Sequence, residues 1–372
     1  MRMNKIILLL SWMFLGGVAY VYAGDSSAKE ILMQKLESTG HDTLRLKTLC
    51  ELVDVCKPEP IVRKQYVDEL LKEAESQKDN LYKCRAYLYH IYICFNENNR
   101  EELRKWLDLL VPLAKKEKYY DLVFLGEQCD IDLLVLNESF EELEDRATDM
   151  LHEAQALNNK GIVLAYQSIA RAYRVTGRVK QAGDMLEKAY AQSLEFNDYT
   201  ISADINNSLI MVYKLLKDYP GLLKCIQERE RIIQNEIRRQ PDMEQMLHLD
   251  FFYLYVSYAE YYFAMGDLPN AKKYIQLTDK YYSDRYFVNK LRYYEINKAY
   301  YAATEQWDEA IACVDSLIIG YRKVDYSYYN NALLDKADIF LDMEDYERAL
   351  PLYEKALKAN DSISVSIYNK QV

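Results

Sequence analysis

The chain has 372 residues and a formal net charge of −11 at pH 7, from 47 basic and 58 acidic residues. A chain this acidic repels the phosphates of nucleic acids and anionic lipid headgroups, so both are disfavoured as partners. Only 11 residues are glycine, and no stretch sustains the period-2 alternation of a β-strand. The composition therefore predicts a mainly helical protein.

Residues 1–23 have the parts of a secretory signal peptide: a basic start, an apolar segment at 6–15, and small residues at Val21 and Ala23. An uncleaved membrane anchor is the alternative. The first cysteine is Cys50, which argues against a lipoprotein. We expect cleavage after Ala23 and a periplasmic or secreted protein, because no second apolar run approaches the roughly 20 residues that cross a bilayer.

Residues 24–40 form a lead-in to the helical part of the chain. The stretches 42–56 and 61–75 then predict a first helical pair, joined around Lys57-Pro58-Glu59-Pro60. Beyond this pair a pattern recurs about every forty residues, which indicates repeated helical hairpins.

The clearest copy of the pattern has a large residue, an apolar and a small residue, a tyrosine, a turn glycine and a small residue of the next helix: Tyr166, Ile169, Ala170, Tyr173, Gly177 and Ala182. The last position recurs along the chain, and we call these seven residues the anchors: Leu103, Leu143, Ala182, Leu222, Ala271, Ala310 and Ala349. Their spacings are 40, 39, 40, 49, 39 and 39 residues. Chance apolar matches would not keep that register.

The long interval of 49 residues contains a helix that Pro241 should end, because proline lacks an amide hydrogen and restricts the residue before it. We expect a change of pitch near residues 239–247, within one solenoid that covers residues 41–360. A tail follows at 361–372, where Asp361 and Ser362 predict the N-cap of a further helix.

This pattern resembles the tetratricopeptide repeat, a helix-turn-helix unit whose copies must stack to bury their apolar faces. The resemblance implies an all-α, right-handed α-solenoid of about eight hairpins. HEAT-type repeats, with a period nearer forty, are the alternative, but the Tyr-x-x-x-Gly turn favours the tetratricopeptide reading. Lys298 departs from the pattern, because it stands where a small residue belongs.

In the tetratricopeptide family, positions 2, 5, 9 and 12 of the first helix face a concave groove. Carried over to this chain, they give a basic strip and a neighbouring aromatic pair as candidate binding residues: Gln167, Arg171, Arg174, Asn207, Lys214, Tyr253 and Phe263. We expect Arg171 and Arg174 to face solvent and to contact an acidic or polar peptide segment. A solvated face without a ligand is the alternative.

The sequence contains no catalytic motif and no pair of residues with the spacing of metal ligands. The four histidines lie in different repeats, and no nucleophile elbow, P-loop or dinucleotide-binding glycine motif is present. The seven cysteines contain no Cys-x-x-Cys pair, so they read as small buried apolar residues. We therefore expect no enzymatic activity, no cofactor and no metal.

The signal peptide, the tyrosine-rich repeats and the closing Asp361-Ser362-Ile363 are similar to periplasmic sensor regions of Gram-negative sensor histidine kinases and helix-turn-helix regulators. This resemblance implies a non-enzymatic exported protein-binding module, related to or truncated from a transmembrane signalling regulator. Its partner would be a protein or peptide of the cell envelope, with membrane association only through that partner or an uncleaved signal segment. A free-standing periplasmic scaffold for envelope protein assembly is the alternative.

The signal segment predicts that the mature protein begins at Gly24. Protein isolated from the native envelope should have the intact mass of residues 24–372. Ala23→Trp should block processing, because a signal peptidase accepts small residues at this position. Retention of residues 1–23 by the unsubstituted protein would indicate an anchored protein instead.

Overall fold

A computed structural model of the protein describes residues 26–57, 59–137, 139–157, 159–196, 199–241, 247–283, 287–322 and 326–371. The signal segment, residues 1–23, lies outside these ranges. The described residues form seventeen α-helices and no strand. None of these helices is both long and apolar enough to span a bilayer.

The chain divides into two compact units, Met1–His248 and Leu249–Val372. The helices of the first unit are α1 Ser26–Ser38, α2 Thr43–Val55, α3 Pro60–Gln77, α4 Asn80–Asn96, α5 Arg100–Glu117, α6 Tyr120–Leu136, α7 Leu143–Ala156, α8 Gly161–Val175, α9 Val179–Phe196, α10 Tyr199–Leu216 and α11 Tyr219–Arg239. Those of the second are α12 His248–Ala264, α13 Leu268–Tyr281, α14 Phe287–Ala303, α15 Trp307–Tyr321, α16 Tyr326–Asp342 and α17 Tyr346–Gln371.

The helices pair into eight hairpins, from α2–α3 to α16–α17, after the leading helix α1. The two helices of each hairpin pack against each other. In the first unit the first helices α4, α6 and α8 also contact one another in order. This arrangement confirms the all-α class and the hairpin repeat that the sequence predicts.

The anchors lie in the buried interior of the hairpins. All seven are buried, none with more than 3% of its surface exposed. Six of them lie three residues after the first residue of the second helix, as Ala182 does in α9, and Leu143 is the first residue of α7. The register of the repeat is therefore confirmed, and leucine fills the same place as alanine in three hairpins.

A left-handed residue joins the two helices in six of the hairpins. These residues have φ between 53° and 82°: Asn98, Gly177, Lys217, Gly266, Glu305 and Glu344. The amide of the following residue donates to a carbonyl of the last helical turn, as from Arg178 to Tyr173 at 2.7 Å and from Asp267 to Tyr262 at 2.9 Å. This is the Schellman ending, which satisfies carbonyls that the helix leaves unpaired.

The prolines lie largely where the sequence predicts. Pro220 and Pro269 stand in the first turns of α11 and α13, where a missing amide hydrogen costs nothing. Helix α11 ends at Arg239, just before Pro241. Residues 242–246 lie outside the described part of the chain, so the change of pitch near 239–247 stays a prediction.

The predicted start of a new helix at Asp361 is wrong. Helix α17 continues without a break from Tyr346 to Gln371. No glycine or proline follows Pro351 in this segment, and Asp or Ser inside a helix costs only about 0.5 kcal/mol relative to alanine. An N-cap motif therefore lacks the strength to end a helix that nothing else interrupts.

The left-handed turns predict opposite effects of two substitutions. Lys217→Gly should raise the free energy of unfolding by about 1 kcal/mol, because a residue with a Cβ is strained at φ 54°. Gly177→Ala should lower it by about 1 kcal/mol for the same reason at φ 82°. Urea denaturation followed by circular dichroism measures both, and shifts of the same sign would contradict the assignment.

Candidate functional site

The first helices of the first unit present a row of side chains that contact one another from helix to helix. We call Tyr92, Cys129, Asp132, Arg171, Arg174 and Met211 the inner row. Arg171 of α8 forms an ion pair with Asp132 of α6. Arg174, one turn further along α8, donates to the Met211 Sδ of α10 at 3.0 Å. Three neighbouring helices are therefore linked through one face, the face that the repeat pattern assigns to binding.

Arg171 does not face solvent as expected. Its residue surface is only 8% exposed, and its partner Asp132 is 3% exposed. Burial and the neighbouring charge of Arg174 lower the pKa of Arg171 to about 9. The Asp132 carboxylate is the ion-pair partner of this guanidinium. Arg171 is thus a buried structural cation that links α6 to α8.

Arg174 has a different environment, although it stands only three residues away. Its side chain is half-buried, and burial lowers its pKa to about 10, which leaves it charged at neutral pH. Among the described residues, its hydrogen-bond acceptor is the thioether of Met211, and no carboxylate forms an ion pair with it. A thioether is a weak acceptor, so this guanidinium keeps most of its donor capacity.

The other three basic-strip residues lie beside this arginine pair. Gln167 precedes Arg171 by one turn of α8, and Asn207 and Lys214 stand one turn on either side of Met211 on α10. All three are half-buried. The structure therefore places the predicted strip on adjacent first helices, with Arg174 near its middle.

Charges from the first and fifth hairpins act on one another across the inner face of the first unit. The Asp204 carboxylate of α10 favours the charged form of Lys57, which follows α2, although burial lowers the pKa of that lysine overall. Asp204 also contributes to the raised pKa of Tyr92, whose main cause is burial. The Asp204 carboxylate therefore lies near enough to Lys57 and Tyr92 for its charge to act on both.

The two aromatic candidates belong to the second unit. Tyr253 donates to Asn289 Oδ1 at 2.6 Å, so its hydroxyl links α12 to α14. Phe263 is half-buried near the end of α12. The structure thus assigns Tyr253 a bridging role between neighbouring first helices.

Ion pairs connect the first helices of the second unit. Arg292 binds Glu260 at 3.0 Å, and Lys298 binds both Glu295 and Asp335 at 2.6 Å. Burial alone would lower the pKa of Lys298, but these two carboxylates raise it above its ordinary value. Lys298, the departure from the repeat pattern, therefore replaces close packing with a charged bridge between α14 and α16.

The pairing partners of the arginines were not identified from the sequence. Asp132 stands 39 residues before Arg171, which is one repeat, and it occupies a position that the pattern also assigns to the groove. Opposite charges one repeat apart on the same helical position are a signal for an ion pair. Met211 carries no comparable signal, because an apolar residue at a groove position is indistinguishable from a packing residue.

The seven cysteines are all buried free thiols. Burial raises the pKa of Cys129 to about 12 and that of Cys84 to about 11, so neither is a nucleophile at neutral pH. The interpretation of the cysteines as small apolar core residues is confirmed.

Comparison with known proteins agrees with this geometry. The family model for the tetratricopeptide repeat matches residues 331–362, in α16 and α17. No curated protein sequence matches the chain. The match identifies one tetratricopeptide repeat at residues 331–362, and the described hairpins have the geometry of that type of helical repeat.

Two solved structures share the fold. One is a signal transduction ATPase with numerous domains from Pyrococcus horikoshii, which has a tetratricopeptide repeat sensor: the TM-score is 0.59 and identity 14%, over 94% of this chain and 55% of that one. The other is a Rap protein complexed with competence and sporulation factor: the TM-score is 0.56 and identity 13%, over 98% of this chain and 99% of that one. At such identities the likeness concerns the fold alone.

The environments of the two arginines predict different effects on stability. Arg171→Glu should lower the free energy of unfolding by roughly 3–5 kcal/mol, because it leaves two carboxylates buried together. Arg174→Gln should change it by less than about 1 kcal/mol. Thermal and urea denaturation measure the difference, with exposed Lys180→Glu of α9 as the charge control. Equal stability of the Arg171 and Lys180 variants would refute the buried ion pair.

Proposed function

We propose that this chain is an exported, non-enzymatic binding module that holds an acidic peptide segment of a cell-envelope protein on the inner row of its first unit. Arg174 carries the proposal. It is a half-buried cation whose acceptor among the described residues is a thioether, whereas the nearby Arg171 has a carboxylate partner. A carboxylate of the peptide would supply the missing acceptor.

The chemistry of arginine favours this ligand. Two nitrogen donors of a guanidinium can bind one carboxylate side by side, and such charge-assisted bonds are about twice as strong as neutral ones. Arg174 is half-buried, so part of its hydration is already lost before a peptide binds. Gln167 and Asn207, on the same face, offer amides that can bond a peptide backbone.

The rest of the molecule supports selectivity for a short segment. The net charge of −11 repels extended polyanions, so attraction is confined to the inner row. The Rap protein with the same fold was crystallised with competence and sporulation factor, which supports peptide capture by a stack of helical hairpins.

The location and pathway rest on the sequence. The segment 1–23, outside the described residues, directs export, and the partner then belongs to the envelope. We propose a sensory role, in which peptide binding by this module is transmitted to a transmembrane signalling regulator. The comparison with a signal transduction protein that carries a tetratricopeptide sensor is compatible with that role.

Peptide binding can be measured with the purified mature chain. An array of twelve-residue peptides that samples acidic, neutral and basic sequences should give binders enriched in Asp and Glu. Arg174→Gln should weaken these binders by roughly tenfold or more, because a hydrogen bond to a charged group contributes about 1.5–3 kcal/mol. Fluorescence anisotropy of the best peptide gives the dissociation constants.

Lys180→Glu is the matched control, since it changes charge on an exposed position of a second helix. It should leave the affinity within about threefold of the unsubstituted protein. Preference for basic peptides, or unchanged binding by a folded Arg174→Gln variant, would place the binding site elsewhere.

A further inference from the structure

The last described helix exposes an apolar stripe. Tyr346, Leu350 and Leu357 of α17 are 64%, 61% and 63% exposed. Their spacing of four and seven residues places them on one face of the helix. We call these three residues the outer stripe. On an adjoining side of the same helix, about 100° around its axis, Ala349 and Ala356 are buried.

The equivalent positions of earlier hairpins are covered by the first helix of the following hairpin. Leu350 follows its anchor by one residue, as Gly183 does in α9, and a Cβ on Gly183 would lie 3.3 Å from Val212 of α10. Leu357 follows its anchor by eight residues, as Val111 does in α5.

Val111 packs so closely on α6 that a Cβ on Gly126 would lie 2.8 Å from it. In the second unit, Ile318 of α15 occupies the same position as Leu357. It packs in a cluster with Tyr329 and Leu333 of α16. The outer stripe is therefore the surface on which a repeat of this kind receives its next helix.

An acidic residue beside the outer stripe also has equivalents in earlier hairpins. Glu354 follows its anchor by five residues, as Glu187 and Asp315 do. Tyr213 of α10 donates to Glu187, and Lys336 of α16 donates to Asp315 at 2.5 Å. In both cases the acid accepts a hydrogen bond from the following first helix. Glu354 is exposed, and no bond of its carboxylate is found among the described residues.

We propose that the outer stripe is a docking surface for an amphipathic helix of another protein, with an apolar seam over Leu350 and Leu357 and a lysine or arginine opposite Glu354. A second copy of this chain is a poorer occupant. Both copies would carry the net charge of −11, so two chains repel each other. Like charges at such an interface oppose association. This surface lies in the second unit and is independent of the peptide site.

A segment of this chain can serve as a probe peptide for the outer stripe. A peptide with the sequence of residues 326–342 contains Lys336 and the apolar seam that docks on α15. Held helical by a staple on its outward face, it should bind the full mature chain with a dissociation constant below about 1 mM. Leu350→Arg combined with Leu357→Arg should weaken binding at least about tenfold without changing the melting temperature, because both side chains are exposed.

A charge exchange tests the predicted register. Glu354→Lys should weaken binding of the peptide about threefold, and a peptide with Lys336→Glu should restore it. Sedimentation should show that the unsubstituted chain is monomeric. The proposal is overturned if the peptide does not saturate below about 1 mM, if the leucine variant binds it equally well, or if the chain forms a dimer that the leucine substitutions abolish.

Discussion

The structure depends on the burial of the anchor at or near the start of the second helix in seven of the eight described hairpins. Ala182, Ala271 and Ala310 have no surface exposed to solvent, and leucine occupies the same point in three hairpins. A left-handed residue ends the first helix in most hairpins and turns the chain into the second. The two helices of a hairpin pack against each other, and each hairpin also packs against its neighbour. A single hairpin is therefore not a self-sufficient folding unit.

The same stacking creates the surface that we propose for binding. First helices that lie side by side bring residues one repeat apart within bonding distance, as Asp132 and Arg171 show. Several charged side chains on these inner faces form such ion pairs. Lys298, for example, bridges two first helices of the second unit. Arg174 differs from these residues, because the side chain that it contacts on α10 is Met211 rather than an acidic residue. Selectivity can thus arise from a single missing partner within a repeated scheme.

The two proposed surfaces arise from different parts of the stacked hairpins. In α5, α9 and α15, a position that corresponds to Leu350 or Leu357 is covered by the next first helix. At α17, Leu350 and Leu357 are exposed among the described residues, so their apolar area is available for association. The inner row offers charge, and the outer stripe offers apolar area. These are chemically distinct and can serve different partners.

The sequence by itself determined the helical class, the hairpin boundaries and the anchors, because burial at fixed helical intervals leaves a periodic pattern in small and apolar residues. It also predicted the strip that contains Arg174, whose residues lie on neighbouring first helices. Only the tertiary structure decided that Arg171 is buried and Arg174 is not. That difference depends on which side chain the neighbouring helix presents, Asp132 or Met211, and on distances that a pattern within one helix does not contain. The continuity of α17 through Asp361 likewise follows from the absence of any competing break, which a local N-cap motif does not report.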